Sequence, residues 1–214
     1  MAEIFMDKIG MIRSRLPEDR LIIFLKAPRR GGVKKRLAAG IGDAAALSFY
    51  RRMIVETLRL ARDPRWQTTL AVTPDRGRGW LKTLRGGKFD LLPQGSGDLG
   101  QRMARAIQSL APSRVLVIGT DIPGLNAEII AHAFKLLRSH DAVFGPAADG
   151  GFWLVGLAKP PQALRIFRDI RWSTEFALQD VRKNFGPKAR IVLVDELDDV
   201  DDEPAYRRFL AARR

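Results

Sequence analysis

Apolar and polar positions along the chain follow two alternating periods. Short, continuous apolar runs of strand length, such as residues 21–25 and 115–118, are separated by longer segments in which apolar residues recur every three or four positions. The helical spacing is clearest in segment 43–62, where one face is formed by Leu47, Tyr50, Ile54, Leu58 and Ala61. The chain therefore alternates between strands and helices.

These periods predict a series of elements over the whole length. Strands are predicted at 20–25, 67–73, 89–92, 114–119, 142–145, 152–156 and 191–194. Helices are predicted at 43–62, 78–84, 98–110, 126–139, 174–185 and 203–213. A further helix near the N-terminus is predicted from Ile4, Phe5, Ile9 and Ile12.

Local signals support several of these boundaries. Asp98 and Gln101 have the spacing of a capping box, and Asn126 is a suitable N-cap for the helix that follows it. Asp149-Gly150 between two short strands indicates a hairpin turn. The pattern predicts an α/β fold with three layers, in which helices cover both faces of a mixed, mostly parallel sheet. We expect one domain over residues 1–214, with residues 1–19 as an N-terminal helical extension.

The amino-acid composition argues against several classes of protein. The chain of 214 residues contains no cysteine, which excludes disulfides, thiolate nucleophiles and cysteine-based zinc sites. No apolar run approaches the roughly 20 residues that a membrane span needs. Acidic residues among the first twenty positions, and the absence of an apolar core there, argue against a signal peptide. A cytoplasmic location is the expectation.

The net charge of +13 allows two interpretations. It is typical of a nucleic-acid-binding surface, but also of a basic protein with a site for a small phosphorylated molecule. Cations crowd segment 29–36 and carboxylates crowd segment 195–203. Because no known nucleic-acid-binding motif is present, the sequence favours solvated surface arginines, and nucleic acid is the weaker hypothesis.

The loop after the first main strand, residues 26–37, is rich in glycine and cations. Gly31 and Gly32 permit close approach of the backbone to a ligand, and backbone N–H groups with nearby cations can cradle a polyphosphate. The loop is neither a Walker motif nor G-x-G-x-x-G. A flexible basic surface loop is an equally good interpretation of the composition.

Aspartates suggest a metal site. Asp121 directly follows the apolar run 115–118, and a carboxylate at the end of such a strand can hold Mg²⁺ against a phosphate. The alternative is an Asx-turn before Pro123, but the position at the strand end favours function. In Asp199-Val-Asp201-Asp202, a solvated acidic run and a second metal carboxylate both remain open.

The absence of cysteine and the positions of the histidines also limit the possible catalytic mechanisms. The two histidines, His132 and His140, lie on a predicted helix and just beyond its end. With no cysteine and no histidine in a strand-end loop, mechanisms of the Ser-His-Asp or Cys-His kind are disfavoured. Carboxylates, cations and glycine loops remain, and these are typical of metal-assisted phosphoryl or nucleotidyl transfer.

A set of motifs, in order from about residue 21 to the end, carries a family resemblance. The motifs are Phe24-Leu-Lys-Ala-Pro, Gly32-Val-Lys-Lys-Arg-Leu-Ala, Gly97-Asp-Leu-Gly-Gln-Arg-Met, Gly119-Thr-Asp-Ile-Pro, Gly145-Pro-Ala-Ala-Asp-Gly-Gly-Phe-Trp, Trp172-Ser-Thr and Asp199-Val-Asp. Together they resemble a bacterial glycosyltransferase-like family of the nucleotide-diphospho-sugar transferase superfamily. That family is similar in turn to 2-phospho-lactate guanylyltransferase and molybdenum-cofactor guanylyltransferase. The resemblance implies the GT-A, Rossmann-like fold.

The resemblance also implies roles for individual residues. It places Lys26, Gly32, Lys34 and Arg36 at the nucleotide phosphates, and Gly97, Asp98 and Gly100 near the base and ribose. It makes Asp121 and Asp201 ligands of Mg²⁺ or Mn²⁺, and it makes Lys34, Arg36 and Asp121 the catalytic set. It places Ser173 and Thr174 on the acceptor side. Asp149, Gly150 and Gly151 of the predicted hairpin are also expected at the acceptor, because glycines there can admit a substrate to a backbone wall. Two departures are visible: Lys35 replaces a usual threonine, and Asp201-Asp202-Glu203-Pro204 replaces a common Thr-Pro-Glu-Asp run.

The expected function is a Mg²⁺-dependent nucleotidyltransferase. It would transfer a nucleotidyl group from a nucleoside triphosphate to a small phosphorylated or hydroxyl-bearing acceptor. The cationic loop and Asp121-Ile-Pro, rather than the Asp-x-Asp of many glycosyltransferases, favour a triphosphate donor. A glycosyltransferase that uses a nucleotide-diphospho-sugar is the first alternative, since one fold serves both reactions. A non-catalytic module that binds nucleotides or nucleic acid is the second.

Overall fold

The computed structural model describes residues 4–6, 12–14, 19–75, 80, 89–110, 112–158 and 163–212. Its strands are β1 (Ile4–Met6), β2 (Ile12–Ser14), β3 (Asp19–Lys26), β4 (Gln67–Thr73), β5 (Asp90–Pro93), β6 (Arg114–Ile118), β7 (Ala142–Pro146), β8 (Phe152–Leu157) and β9 (Ile191–Leu193). Its helices are α1 (Lys35–Ile41), α2 (Asp43–Leu60), α3 (Leu99–Gln108), α4 (Ala127–Leu136), α5 (Ala163–Ile166), α6 (Ala177–Lys183) and α7 (Glu203–Ala211).

The main sheet has seven strands in the order β5-β4-β3-β6-β8-β7-β9. Neighbouring strands are parallel except around β8, which runs antiparallel to both β6 and β7. The β7–β8 pair is the hairpin that Asp149-Gly150 indicated. Because β6 lies in the middle of this sheet, the loop after it lies at the centre of the carboxyl edge formed with β3 and β4.

Helices cover both faces of the sheet. Along β6, Leu116 and Ile118 point into one core cluster together with residues of α2 and α4, while Val115 and Val117 point into a second cluster with residues of α3 and α6. The alternation follows from the two-residue period of a strand. The predicted three-layer, mostly parallel α/β fold is confirmed.

Several predicted boundaries are confirmed by their caps. The side chain of Asp98 accepts a hydrogen bond from the backbone N–H of Gln101, and the Gln101 side chain accepts one in return from the backbone N–H of Asp98, which completes the capping box of α3. Asn126 caps α4 through the N–H groups of Glu128 and Ile129. The predicted helix at 78–84 lies almost entirely outside the described residues.

Three predictions of local structure need correction. β1 and β2 form a two-stranded antiparallel sheet, so the predicted N-terminal helix is wrong at these residues. Isoleucine, at Ile4 and Ile12, is β-branched and favours strands, and a short apolar pattern is ambiguous between the two periods. α1 begins within the predicted loop 26–37 and was not predicted, because its one buried residue, Leu37, produces no periodic pattern. The helix predicted at 174–185 begins only at Ala177.

The C-terminal helix α7 fixes the acidic segment that precedes it. Phe49 of α2 packs edge-to-face against Tyr206 and Phe209 of α7, and Leu37 of α1 and Val200 are buried in the same cluster. Asp202 caps α7 by accepting a hydrogen bond of 2.9 Å from the N–H of Ala205. The segment around Val200 is therefore anchored to α1 and α2. The expectation of one domain over residues 1–214 stays a prediction.

Candidate active site

The central strand β6 carries one carboxylate to the edge of the sheet. Residues 115–118 are between 0% and 4% exposed, because helices cover both faces of the sheet. The strand ends at Ile118, and Asp121 follows in the next loop with its side chain 28% exposed. Asp121 therefore lies where open α/β sheets bind their ligands.

A second segment reaches the same place through Val200. This side chain is 3% exposed, and its backbone N–H donates a hydrogen bond of 3.3 Å to the backbone carbonyl of Asp121. Asp199 and Asp201 flank Val200, and one carboxylate oxygen each of Asp121, Asp199 and Asp201 lie within 4.8 Å of one another. Asp121 and Asp201, both predicted as metal ligands, therefore lie close together, and their binding of one ion stays a prediction. We refer to these three residues as the carboxylate cluster.

Lys34 lies inside this cluster. Its side chain is only 4% exposed, and its Nζ atom pairs with Asp121 and, at 2.5 Å, with Oδ1 of Asp201. The residue adopts a left-handed backbone conformation (φ 48°, ψ 49°) immediately before α1, which is uncommon outside glycine. Lys34 is thus held as a counter-ion between two carboxylates instead of extending freely from a basic surface loop.

Arg36 adds a second cation at the edge of the cluster. It lies in the first turn of α1, pairs with Oδ2 of Asp201 and is 70% exposed. The two cations differ in accessibility, because Lys34 is enclosed while most of the Arg36 guanidinium remains available to a ligand. Arg36 is therefore well placed to meet an anion that enters from solvent.

The charges shift the pKa values within the cluster in opposite directions. Burial, together with the neighbouring charges of Asp201 and Asp121, raises the pKa of Asp199 to about 6. Burial also acts to raise the pKa of Asp201, but Lys34 and Arg36 outweigh it and lower that pKa. Burial acts to lower the pKa of Lys34, and Asp121 and Asp201 outweigh it and raise it. Lys34 and Asp201 are therefore a charged pair, while Asp199 holds a proton more readily.

Tyr50 of α2 joins the basic loop to the loop after β6. Its hydroxyl accepts a hydrogen bond of 2.9 Å from the backbone N–H of Lys26, donates one of 3.0 Å to the Lys26 carbonyl, and lies 3.5 Å from Oγ1 of Thr120. The Lys26 side chain, predicted to contact phosphate, is exposed. Sequence reasoning counted Tyr50 only as part of the apolar helix face, since a buried hydroxyl gives no periodic signal.

The carboxylate cluster separates two cavities. The smaller, of about 380 Å³, is lined by Gly32, Lys34, Lys35, Tyr50 and Lys26, and so carries the residues predicted at the phosphates. The larger, of about 660 Å³, lies on the side of β8 and α6. Arg36, Asp121 and Asp201 line both cavities. The geometry thus provides a cationic chamber and a second chamber on either side of the same carboxylates.

Most of the predicted acceptor residues line the larger cavity. Asp149 and Gly151 reach it from the β7–β8 hairpin, and Ser173 and Thr174 from the segment before α6. Gly150 has a different environment: its φ is +81°, and a Cβ atom there would lie 2.2 Å from the backbone carbonyl oxygen of Glu175. This glycine is required for packing of the hairpin against the neighbouring segment.

The residues predicted near the base and ribose lie apart from the carboxylates. Asp98 and Gly100 border a third cavity of about 320 Å³ at the start of α3. The Asp98 side chain caps α3, and a Cβ atom at Gly97 or Gly100 would collide with Gln101 or Trp172, respectively. Each of the three therefore has a structural reason for its identity, and their role at a nucleotide stays a prediction.

The carboxylate cluster fits a divalent cation by its chemistry. Carboxylate oxygens are preferred ligands of Mg²⁺ and Mn²⁺, and Asp121, Asp199 and Asp201 bring three of them together. Asp199 was not selected from the sequence, because an acidic run does not reveal which of its members turn inward; its only signal was the alternation with apolar Val200. Since Lys34 pairs with two of the same carboxylates, a metal ion must share or take over those oxygens.

Comparison with protein families identifies one match. The profile of the family described as "Uncharacterized protein conserved in bacteria (DUF2064)" matches residues 57–174, which is more than half of the chain. The matched region contains Asp121 and the hairpin residues but not Lys34 or Asp201. No curated protein matches the sequence. Among the helices that the structure describes, none is both long and apolar enough to cross a bilayer.

Solved structures share the fold. A protein from Desulfovibrio desulfuricans G20, provisionally described as a nucleotide-diphospho-sugar transferase, is 28% identical with a TM-score of 0.78, over 87% of this chain and 84% of that one. A 4-diphosphocytidyl-2C-methyl-D-erythritol synthase from Anaerococcus prevotii DSM 20548 is 10% identical with a TM-score of 0.62, over 92% and 96%. A cytidylyltransferase from Leptospira borgpetersenii serovar Hardjo-bovis is 13% identical with a TM-score of 0.55, over 84% and 76%. The fold is therefore that of nucleotide-diphospho-sugar transferases.

Proposed function

The chain belongs to the DUF2064 family of bacterial proteins, and from the site it carries we propose that it is a divalent-metal-dependent nucleotidyltransferase. The observation that carries the proposal is the carboxylate cluster at the end of the central strand, with Lys34 and Arg36 against it and a cavity on either side. Two proteins with the same fold support the proposal by analogy: one is named as a cytidylyltransferase and the other as a diphosphocytidyl-methylerythritol synthase.

Asp121, Asp199 and Asp201 are the residues that would hold the cation. A bound Mg²⁺ neutralises phosphate charge and favours attack at phosphorus. The cluster itself positions this charge at the carboxyl end of β6, between the two cavities. Magnesium usually keeps several water molecules and binds through only one or two carboxylates, so the third carboxylate can hold water or Lys34.

The smaller cavity supplies the phosphate environment. Lys26, Lys34, Lys35 and Arg36 line it, and their positive charges suit the polyphosphate of a nucleoside triphosphate. Arg36 is the best candidate to offset charge on departing pyrophosphate, because its side chain is 70% exposed and its guanidinium presents several donors. Lys34 would exchange one carboxylate partner for a phosphate oxygen.

The reaction is a substitution at the α-phosphorus. An oxygen of the acceptor, held in the larger cavity, forms a new P–O bond while the bond from the α-phosphorus to the bridging oxygen breaks, and pyrophosphate leaves with that electron pair. A phosphate acceptor has no proton to lose. This agrees with a described site that is built from carboxylates and cations and contains no histidine.

Glycosyl transfer is the second candidate. The provisional description of the Desulfovibrio protein as a nucleotide-diphospho-sugar transferase, at 28% identity, favours it. In that reaction the acceptor oxygen would attack the sugar carbon, and a nucleoside diphosphate would leave. The cationic smaller cavity favours the triphosphate, because it has one phosphate group more to neutralise than a nucleotide-sugar has.

A thermal-shift screen tests the proposal. Nucleoside triphosphates and nucleotide-sugars are compared with and without MgCl₂, because a ligand that binds the folded state raises its melting temperature. We expect one triphosphate with Mg²⁺ to give the largest shift and Asp121→Asn to abolish it. Asp198→Asn, the same change at an exposed aspartate outside the carboxylate cluster, is the matched control. A shift with nucleotide-sugars alone would favour the second candidate.

A further inference from the structure

The larger cavity has two chemically different parts. The carboxylate cluster and Arg36 line one part of it, at the strand ends. Apolar side chains of the sheet, of helix α3 and of the segment before α6 also line it, namely Phe24, Leu99, Met103, Val117, Phe152 and Trp172. A ligand that fills this cavity therefore meets charge at one end and hydrocarbon along its body.

The aromatic part of the wall is held in place by packing. The rings of Phe152 and Trp172 meet edge to face with their centroids 6.2 Å apart, and Trp172 also packs against Phe167. Gly100 of α3 permits this position, because a Cβ atom there would lie 2.7 Å from the Trp172 ring. The ring of Trp172 thus forms a fixed surface, against which another aromatic ring can pack edge to face or offset-stacked.

Several polar groups of this cavity are already engaged within the protein. The Thr174 hydroxyl donates a hydrogen bond of 2.7 Å to the Arg171 carbonyl, and the Trp153 indole N–H donates one of 3.2 Å to the Asp195 carbonyl. Asp149 accepts one of 2.9 Å from the N–H of Gly151. Against the apolar side chains of this cavity, a ligand rich in hydroxyl groups would lose hydrogen bonds to water without gaining protein partners.

We propose that the acceptor is a small aromatic molecule that carries one phosphate group. Its ring lies against Trp172, Phe152 and the apolar side of α3, and its reactive group points towards Arg36 and the carboxylate cluster. The proposal rests on the proposed function, since that function requires an acceptor in this cavity. It excludes a sugar or another polyol as the preferred acceptor.

Two phosphate monoesters that differ only in their body provide the test. Phenyl phosphate and glycerol 3-phosphate are titrated into the protein by isothermal titration calorimetry with MgCl₂ and without nucleotide. We expect phenyl phosphate to bind at least about tenfold more tightly, since burying a ring contributes more than enough free energy for that ratio. Equal or tighter binding of glycerol 3-phosphate, or no binding of either compound, would overturn the proposal.

Three variants locate the ring. Trp172→Ala is expected to weaken the binding of phenyl phosphate by about tenfold or more and to leave the binding of glycerol 3-phosphate unchanged. Leu99→Asn is a second variant that spares the core, because Leu99 is 45% exposed, and it should also weaken phenyl phosphate selectively. Phe176→Ala is the matched control, since this exposed ring stacks on Arg171 instead of lining the cavity. Unchanged phenyl phosphate affinity in Leu99→Asn and in folded Trp172→Ala would contradict the assignment.

The outcome is separable from that of the proposed function. If phenyl phosphate binds selectively but no triphosphate releases pyrophosphate, the proposed nucleotidyl transfer is wrong and the proposed aromatic ligand is supported. Pyrophosphate release with a polyol phosphate and none with an aryl phosphate would do the reverse.

Discussion

The ammonium nitrogen of Lys34 lies 2.5 Å from Oδ1 of Asp201, a residue 167 positions further along the chain. This ion pair closes the basic loop onto the C-terminal acidic segment. It also places a positive charge between two of the carboxylates that a metal ion would use. The protein's own cation and an external cation therefore compete for the same oxygens.

Lys34→Met is expected to change metal and nucleotide binding in opposite directions. Removing the internal cation should raise the affinity for Mn²⁺, in the absence of nucleotide, by about tenfold or more, which electron paramagnetic resonance of free Mn²⁺ measures directly. The same variant should bind a triphosphate more weakly, since a phosphate contact is lost. Lys135→Met, at an exposed lysine that lines neither cavity, controls for net charge. If the Mn²⁺ affinity is unchanged in Lys34→Met, Lys34 and the metal ion do not compete for the carboxylate oxygens.

Asp199→Asn should weaken metal binding as Asp121→Asn does. Asp199 belongs to the carboxylate cluster, whereas its neighbour Asp198 is exposed and outside it, so Asp198→Asn is a control with the same change of charge. The measurement is the Mg²⁺-dependent rise in melting temperature with nucleotide present. We expect loss of most of that rise in Asp199→Asn and no loss in Asp198→Asn. If the two variants behave equally, Asp199 is a solvated carboxylate and does not bind the metal ion.

Asp199 also gives a pH dependence of known sign. Its pKa is raised from 3.8 to about 6 in the folded state, so the folded protein binds a proton more tightly than the unfolded chain does between these values. The free energy of unfolding should therefore fall as pH rises from 4 to 6, by about 1–2 kcal/mol after allowance for solvent screening. The lowered pKa of Asp201 acts elsewhere, because the stability it contributes is lost only at lower pH.

Denaturant unfolding in metal-free buffer at pH 4, 5, 6 and 7 checks this dependence. In Asp199→Asn the contribution between pH 4 and 6 should be absent, because the amide does not titrate. If the difference in unfolding free energy between the wild type and this variant is the same at pH 4 and at pH 6, burial does not shift the Asp199 pKa.

Two glycines with positive φ allow the cost of a steric clash to be distinguished from the cost of a strained backbone conformation. Gly150 and Gly31 have φ of +81° and +68°, but only Gly150 has backbone atoms of Glu175 where a Cβ would lie, while Gly31 has open space. Gly150→Ala should therefore lower the melting temperature more than Gly31→Ala, whose cost is confined to the backbone conformation. Similar shifts in the two variants would mean that the hairpin yields without loss of packing.

Much of the fold is readable from the sequence, because strands buried on both faces leave continuous apolar runs and helices with one apolar face leave a periodic pattern. The central position of Asp121 follows from the apolar run 115–118 and the rule that ligands bind at the carboxyl edge. Elements without such a pattern escape: α1 buries only Leu37, and the strands at Ile4–Met6 and Ile12–Ser14 carry too few residues to show a period.

The site is readable only in part, since its pairings span long distances in sequence. Local chemistry indicates that Lys34 and Asp201 are cationic and anionic, but the tertiary structure decides that they neutralise each other. The role of Tyr50 in joining two loops, and the apolar wall beside Trp172, likewise arise from elements distant in sequence. The inward turn of Asp199 depends on burial of Val200 against α1, α2 and α7, which a local reading of an acidic run does not contain.

Phosphorus NMR of the reaction products tests the central claim most directly. The protein is incubated with MgCl₂, phenyl phosphate as acceptor and, in parallel, each nucleoside triphosphate or nucleotide-diphospho-sugar. Nucleotidyl transfer predicts free pyrophosphate and a new P–O–P linkage between nucleotide and acceptor from one triphosphate, with both signals lost in Asp121→Asn. Release of a nucleoside diphosphate from a nucleotide-sugar, with every triphosphate left intact, would contradict the claim and establish glycosyl transfer in its place.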